Sequence, residues 1–295
     1  MRKIFTLVCI ALAANFAFAE VFLEENFDYP IGDKITEHGW YTEYGVASEI
    51  GVTNGLSIPH YAPSNMGNAA LIDCESSGVQ AHKAFKEVTE GDVYTAFMLL
   101  PSINNKKGYF FTLRDKNTST EYNFNARVFI DADYHIGLTF ADNKKAVFSE
   151  EVLDYAAPCL VVVKYSILEG KNNDCVSLYL LKETAKEEPA SPTIGPLYDS
   201  AKKDINPANI VLRGYDSNGW LIVDGVRVAS SWKEAVLWNE ETGIGITSCE
   251  TGNSEGFLYN CLGSCLGEYS EELLQRQPHG VYVIRTGNSS RKVLR

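Results

Sequence analysis

Glycoside hydrolysis needs two carboxylates flanking the scissile bond, about 5–5.5 Å apart in a retaining enzyme, and alternate residues of one strand would present them. The 295-residue sequence has no Glu-x-Asp-x-Glu run. Its acidic stretches, Glu24-Glu25-Asn26-Phe27-Asp28 and Glu150-Glu151-Val152-Leu153-Asp154, read as solvated charge. The histidines at 38, 60, 82, 135 and 279 have no metalloprotease spacing, and no Gly-x-Ser-x-Gly elbow occurs. A catalytic site would have to be assembled from distant loops. Binding chemistry is better represented, with sixteen Tyr and four Trp in an acidic chain. Aromatic rings stack on sugar faces while acids and amides hold hydroxyls. The candidates are Trp40, Tyr41, Tyr44, Tyr61 and Tyr215, of which Tyr41, Tyr44 and Tyr61 are the ligand-binding set.

The chain opens with Arg2 and Lys3, an apolar run from Ile4 to Phe18, and Ala17-Phe18-Ala19. That is a secretory signal peptide over residues 1–19, with cleavage after Ala19. The run is shorter than the roughly 20 residues that span a bilayer, and no later stretch approaches that length, so no transmembrane segment is expected. The net charge of −12 becomes more negative once Arg2 and Lys3 leave. Such a surface is unsuited to phosphate backbones, which excludes nucleic acid as the natural partner. Six of the seven cysteines remain: Cys74, Cys159, Cys175, Cys249, Cys261 and Cys265. An even number in an oxidising compartment suggests disulfides, in any of fifteen pairings. A hairpin turning near Lys171 would set Cys175 opposite position 167 and Cys159 opposite position 183, so those two are not cross-strand partners. Cys261-Leu-Gly-Ser-Cys265 lacks a second ligand pair for zinc and reads as a local disulfide or as free thiols.

From Glu20 to Trp232 the sequence alternates short Val, Ile, Phe, Tyr and Thr runs with Gly, Asn, Asp and Pro clusters. Strands are expected near 21–27, 68–73, 80–86, 92–100, 108–114, 122–131, 134–140, 145–149, 159–168, 175–181, 209–215 and 219–229, with almost no helix. Asn123 to Ile130 and Ile222 to Val228 alternate apolar with polar residues, as half-buried strands do. Such strands must lay their apolar faces on another layer, which gives two antiparallel sheets face to face. The proline-rich stretch from Lys182 to Pro207 reads as a long connection on an edge or between sheets. The last twenty residues carry Arg276, Arg285, Arg291, Lys292 and Arg295 and no acid, either an element with its own task or a hairpin with a solvated face.

Two segments resemble known families. Phe257-Leu258-Tyr259-Asn260-Cys261-Leu262-Gly263, Pro278 to Asn288 and the closing Arg291-Lys292-Val293-Leu294-Arg295 resemble the type A sorting domain of type IX secretion substrates. The elements that carry it are Gly280, Val281 and Tyr282 leading a strand, Gly287 in a Gly-Asn turn, and Lys292-Val293 in a closing strand. The resemblance implies a small Ig-like β-sandwich over 233–295, read by the outer-membrane translocon and cut by a surface sortase during attachment to lipopolysaccharide. The protein would then be secreted across the outer membrane to the cell surface or beyond. A signal read after periplasmic folding must be an exposed folded face, which a terminal hairpin can offer. Residues 20–232 are similar to concanavalin A-like or LamG-like jelly rolls, in Glu25 to Pro30, His38-Gly39-Trp40, Asn54 to Ser57 with Tyr61, Leu160 to Tyr165, Asn173 to Leu178, and Val223 to Val228 with Trp232. In that framework Trp40 and Trp232 are core residues. The same resemblance implies a structural calcium held by Glu25 or Asp28 with Asp224; the competing reading is that Asp224-Gly225 is a tight bend. The expectation is an all-β protein: a jelly-roll (concanavalin A-like) two-sheet sandwich followed by a small Ig-like β-sandwich. Its function would be a non-catalytic binding or adhesion module for a glycan or host matrix component. A carbohydrate-active enzyme and a structural surface protein are the alternatives, because this architecture hosts many activities.

Overall fold

The computed structural model describes residues 19–42, 50–75, 79–102, 106–116, 124–215, 219–239, 256–260, 265–277, 281–286 and 289–294. Residues 1–18 of the expected signal peptide, with Tyr44, Cys249, Cys261, Gly280 and Gly287, lie outside them. The chain divides into two units after Trp238, six residues beyond the expected boundary at 232.

The first unit is a two-sheet antiparallel sandwich of jelly-roll type. Its strands are β1 (Val21–Glu25), β2 (Gly51–Thr53), β3 (Ala69–Asp73), β4 (Gln80–Ala84), β5 (Gly91–Pro101), β6 (Gly108–Arg114), β7 (Phe124–Ile130), β8 (His135–Thr139), β9 (Val147–Val152), β10 (Cys159–Ile167), β11 (Cys175–Leu181), β12 (Ile194–Leu197), β13 (Asn209–Arg213) and β14 (Trp220–Ala229). One sheet has the order β12-β11-β10-β5-β14-β3-β2, with β1 also on β14; the other is β4-β13-β6-β7-β8-β9. Between them lies the main core, which includes Val93, Phe97, Leu99, Phe111, Val128, Ile130, Val161, Ile210 and Leu212, all fully buried. Burial of each such side chain contributes about 1.5–3 kcal/mol.

Bulges adjust which side chains reach this core. In β14 the pairing with β5 slips between Asp224 and Arg227, and Gly225 has φ +58. The slip lets Val223 and Val226, three apart, both point inward. The Asp-Gly pair is therefore a bulge within a strand rather than a bend between strands. The β10–β11 register sets Ser166 opposite Cys175, one residue from the expected position 167, and the two cysteines are still not partners. Cys74, Cys159, Cys175 and Cys265 are all free, so the expected disulfides do not form among the described residues.

The outer face of the larger sheet is covered. The helix α1 (Trp232–Val236), started by the Ser231 side chain accepting from Glu234 N, packs Trp232, Ala235 and Val236 over Tyr94, Ala96 and Tyr179 with Leu56, Ile58 and Tyr61. This packing places α1 with the first unit and moves the boundary past 232. The Lys182–Pro207 connection contributes β12 at the sheet edge, as its prolines suggest.

The second unit forms one antiparallel sheet in the order β16-β15-β17-β18, from β15 (Phe257–Asn260), β16 (Cys265–Glu268), β17 (Val281–Thr286) and β18 (Ser289–Leu294), with α2 (Glu271–Gln275). Leu258, Leu274, Tyr282 and Ile284 are its core. Among the described residues this is one sheet with a helix, where an Ig-like sandwich would have two sheets.

Candidate functional site

On the six-stranded sheet, the register builds a row of side chains across four strands on the outer face. Tyr109 pairs with Phe129, Phe129 with Gly137, and Gly137 with Phe148. The rings of Tyr109 and Phe129 are 5.6 Å apart, those of Phe129 and Phe148 6.2 Å. Gly137 makes the row continuous, because a Cβ there would lie 2.6 Å from Phe148 Cε1. Cations flank it: Arg213 stacks 4.1 Å from the Tyr109 centroid, Arg127 5.1 Å from it, and Lys107 stands 5.5 Å from the Phe148 centroid. Phe129 is buried beneath these neighbours, Tyr109, Phe148, Arg127 and Arg213 are half-buried, and Lys107 is exposed. Arg127 is oriented by Nε donating to Phe124 O (2.9 Å) and Nη1 donating to Asn143 Oδ1 (2.7 Å). Burial lowers its pKa, and the adjacent Arg213 acts in the same direction. The arrangement can hold a flat or anionic group against aromatic and guanidinium planes.

Of the sequence candidates, Tyr41 is on this sheet's outer side, 61% exposed, bridging to His82 with the rings 5.9 Å apart. Tyr44 lies outside the described residues. Tyr61 is corrected: it is 2% exposed and its hydroxyl donates to Gly225 O across 2.5 Å, so its ring packs beneath the larger sheet's cover and offers no face to a sugar. Tyr215 is buried too, its ring lying where a Gly108 Cβ would be. Trp40 and Trp232 are core, at 1% and 5% exposure. The row of Tyr109, Phe129 and Phe148 escaped the sequence reading, which noted the alternation from Asn123 to Ile130 without placing Phe129 on a face. The available signal was strict alternation: with Val128 and Ile130 inward, Phe129 must point outward beside Arg127.

Among the described residues Glu25, Asp28 and Asp224 do not form a group of three whose ligand atoms all lie within 4.8 Å of one another. Glu25 Oε1 accepts from Phe27 N (2.9 Å), and Oε2 accepts from Tyr29 OH (2.8 Å) and Trp40 Nε1 (3.1 Å) and pairs with Lys83 Nζ (2.9 Å). Glu25 thus already faces an ammonium and three hydrogen-bond donors. Asp28 is exposed. Asp224 fits an ion better. It is fully buried, with Oδ2 accepting from Leu56 N (2.7 Å) and Oδ1 from Gly225 N (2.6 Å), and burial pushes its carboxyl up to about 7 against those two bonds. A side chain at Gly55 would begin 3.1 Å from Gly67 O and 3.3 Å from Asp224 Oδ2. Asn26, whose carbonyl lies against Gly67, keeps Oδ1 buried without a hydrogen-bond partner. Hard oxygens of this kind suit calcium. Elsewhere, Asp33, Glu37 and His38 are the only described group of three with ligand atoms within 4.8 Å of one another.

Carboxylates also approach one another at two places. Asp92 and Glu188 share Lys164, whose Nζ is 3.2 Å from each. Asp174 lies with Asp204 in the wall of a cavity of about 690 Å³, but its oxygens accept from Tyr165 OH and Leu168 N, both at 2.8 Å, which ties down the β10–β11 turn. Both arrangements hold loops in place.

In the second unit, Val281 and Tyr282 lie in β17, Lys292 and Val293 in β18, and Tyr282 pairs with Val293. Tyr282 is a core residue there.

No family model and no curated protein matches the chain. Among solved structures, Trypanosoma rangeli sialidase is similar at 9% identity over 65% of this chain and 30% of its own, with a TM-score of 0.37. A carbohydrate esterase from Shiga toxin-encoding bacteriophage phi24B is similar at 9% identity over 72% and 99%, TM-score 0.40. The endo-1,3-beta-glucanase from Streptomyces sioyaensis is similar at 10% identity over 72% and 96%, TM-score 0.39. The chain spans about a third of the sialidase's length. These likenesses carry no substrate to this protein. Among the described residues no helix is long and apolar enough to cross a membrane.

Proposed function

We propose that the first unit is a non-catalytic binding module whose ligand is a glycan, held on the outer face of the six-stranded sheet. The observation that carries this is the pair of half-buried rings Tyr109 and Phe148, seated on the buried Phe129 and flanked by Arg213, Arg127 and Lys107. Aromatic planes beside fixed cations suit the apolar faces and polar edges of sugars, and the other sheet's outer face is occupied by α1 and its neighbours. A glycan array probed with residues 20–295 tests it. Retention without release of reducing ends is expected, weakened in Tyr109→Ala and unchanged in Tyr198→Ala, which alters an aromatic residue 70% exposed elsewhere. Release of reducing ends would favour the enzyme alternative, and retention indifferent to Tyr109 would remove the face from consideration.

The terminal unit serves, in this reading, as the type IX sorting signal, recognised by the translocon and a surface sortase. Its support is the motif order together with the terminal β17–β18 hairpin. Deleting Gly280 to Arg295 should leave the protein in the periplasm; continued appearance at the cell surface would end that reading. A structural calcium in this reading would lie by Asp224 Oδ2 and Gly67 O, which are 3.3 and 3.1 Å from where a Gly55 side chain would begin. Bound there, the ion would supply charge neutralisation and fasten the 54–68 loop to β14.

A further inference from the structure

We propose that Asp33, Glu37 and His38, on the connection between β1 and β2, bind one divalent ion of the zinc class. One ligand atom from each lies within 4.8 Å of the other two. The backbone fixes these positions without an ion. Gly32 N donates to Val52 O (3.0 Å), Val52 N to Asp33 O (2.8 Å) and Ile35 N to Ile50 O (3.0 Å), so residues 32–35 run beside β2. A single 3-10 turn, Ile35–His38, follows, with Glu37 N donating to Lys34 O (2.9 Å). Ile35 at its start and Trp40 just past its end are buried in the core, and Gly39 between them takes a left-handed φ of +77 that ends the turn. The segment is thus anchored at both ends, while Asp33 and His38 stay half-buried and Glu37 is exposed.

The imidazole is oriented as well. Tyr29 lies flat on the His38 ring, with centroids 4.2 Å apart and planes 7° from parallel, and the Tyr29 hydroxyl is held by Glu25 Oε2 at 2.8 Å. His38 O accepts from Lys83 Nζ at 3.2 Å. These contacts present His38 Nε2 to Asp33 Oδ2 at 2.9 Å. Zinc bonds of about 2.0–2.2 Å at the tetrahedral angle set two donors about 3.3 Å apart, so an ion between Nε2 and Oδ2 needs only a small adjustment. A His38–Asp33 ion pair accounts for two of the three groups. Glu37 brings a second carboxylate to the same spot, and like charges repel unless a cation lies between them. One imidazole nitrogen with two carboxylates suits zinc, whereas calcium and magnesium take six or more oxygens. With three protein ligands and Glu37 exposed, the fourth tetrahedral position opens on solvent, for water or a donor atom of a bound molecule.

Titration of Zn2+ into metal-stripped protein of residues 20–295, followed by calorimetry, tests the assignment. One equivalent should bind, and Zn2+ at a hundredfold excess over its Kd should raise the melting temperature by about 5 °C. His38→Gln should weaken that equivalent by at least about a hundredfold and Glu37→Gln by about tenfold, while His135→Gln, which alters a histidine paired with Asp131, should leave it in place. Glu37 is exposed, so its variant folds with the side-chain packing intact, and circular dichroism with metal-free melting curves separates lost binding from lost folding for His38→Gln. Cobalt(II) used in place of zinc should give ligand-field bands without sulfur charge transfer, which distinguishes this site from the cysteines. No Zn2+ bound, or Zn2+ binding indifferent to His38 and Glu37, would overturn the site. Loss in His38→Gln with none in Glu37→Gln would overturn the three-ligand assignment, and displacement of the zinc by an equal concentration of calcium would overturn the class of ion.

Discussion

Removal of the Glu188 carboxylate should loosen the 182–193 segment from the larger sheet, with a pH signature that packing alone cannot produce. Glu188 Oε2 accepts from Tyr94 OH at 2.7 Å, and Oε1 accepts from Tyr179 OH and from Lys164 Nζ, the latter at 3.2 Å. Trp232 secures the same segment, its Nε1 donating to Ala185 O at 3.0 Å while its ring meets Tyr94 and Tyr179 edge-on. A hydrogen bond to a charged group contributes about 1.5–3 kcal/mol when buried. Glu188 is 30% exposed, so solvent screening reduces the whole network to about 2 kcal/mol for Glu188→Ala and about half that for Glu188→Gln. In a unit of this size that lowers the melting temperature by about 4–8 °C for the alanine variant. Burial raises the Glu188 pKa, but bonds from Tyr179, Tyr94 and Lys164 outweigh it and hold the carboxyl below its usual range. With the folded pKa below the unfolded value of about 4.3, the stabilisation is complete above that pH and is lost as pH falls through the folded value. Melting of wild type and Glu188→Gln should therefore differ at about pH 7 and converge near about pH 2.5, with trypsin cutting at Lys182 or Lys186 faster in the variant at the higher pH. Equal gaps at both pH values, or no gap, would refute the network as the tether.

Gly137→Ala should displace the Phe148 ring, cost about 1–3 kcal/mol through overpacking, and weaken glycan retention; a variant that melts and binds as wild type would show that Phe148 is not fixed by that glycine. A thiol reagent should label half-buried Cys175 in the native protein, whereas Cys74 and Cys159, whose thiols burial raises to about 12, should react only on unfolding. A nonreducing peptide map joining either of the latter to another cysteine would contradict this. In metal-stripped protein, added calcium should raise the melting temperature of the wild type but leave Asp224→Asn unmoved, and a wild-type curve indifferent to added calcium would remove the ion from Asp224.

Most strands were legible because burial on one face imposes a period of two, and the runs at 92–100, 159–168 and 175–181 lie close to β5, β10 and β11. The short β2 and β12 were not: three or four residues carry too little periodicity, and β12 contains Gly195-Pro196, which reads as a break. The Asp224-Gly225 bulge was read as a turn because the same dipeptide supplies a positive φ in either setting, and only the partner strand β5 distinguishes them. Trp40 and Trp232 were placed in the core by the resemblance, but the tyrosines were counted in the sequence without being placed. Tyr61 and Tyr215 are as polar-tipped as Tyr41, and their burial follows from which loop or glycine lies opposite.

Composition and local pattern by themselves determined an acidic, all-β chain of alternating strands with a distinct basic terminus, because those properties depend on neighbours a few residues away. The tertiary structure alone decided that Tyr109, Phe129 and Phe148 form one row, that Arg127 and Arg213 flank the same ring, and that Glu25 faces Lys83. Those outcomes depend on strand register and sheet order. A shift of one residue in register exchanges the two faces of a strand, and the energy that forbids the shift resides in the opposing layer, tens of residues away in the chain.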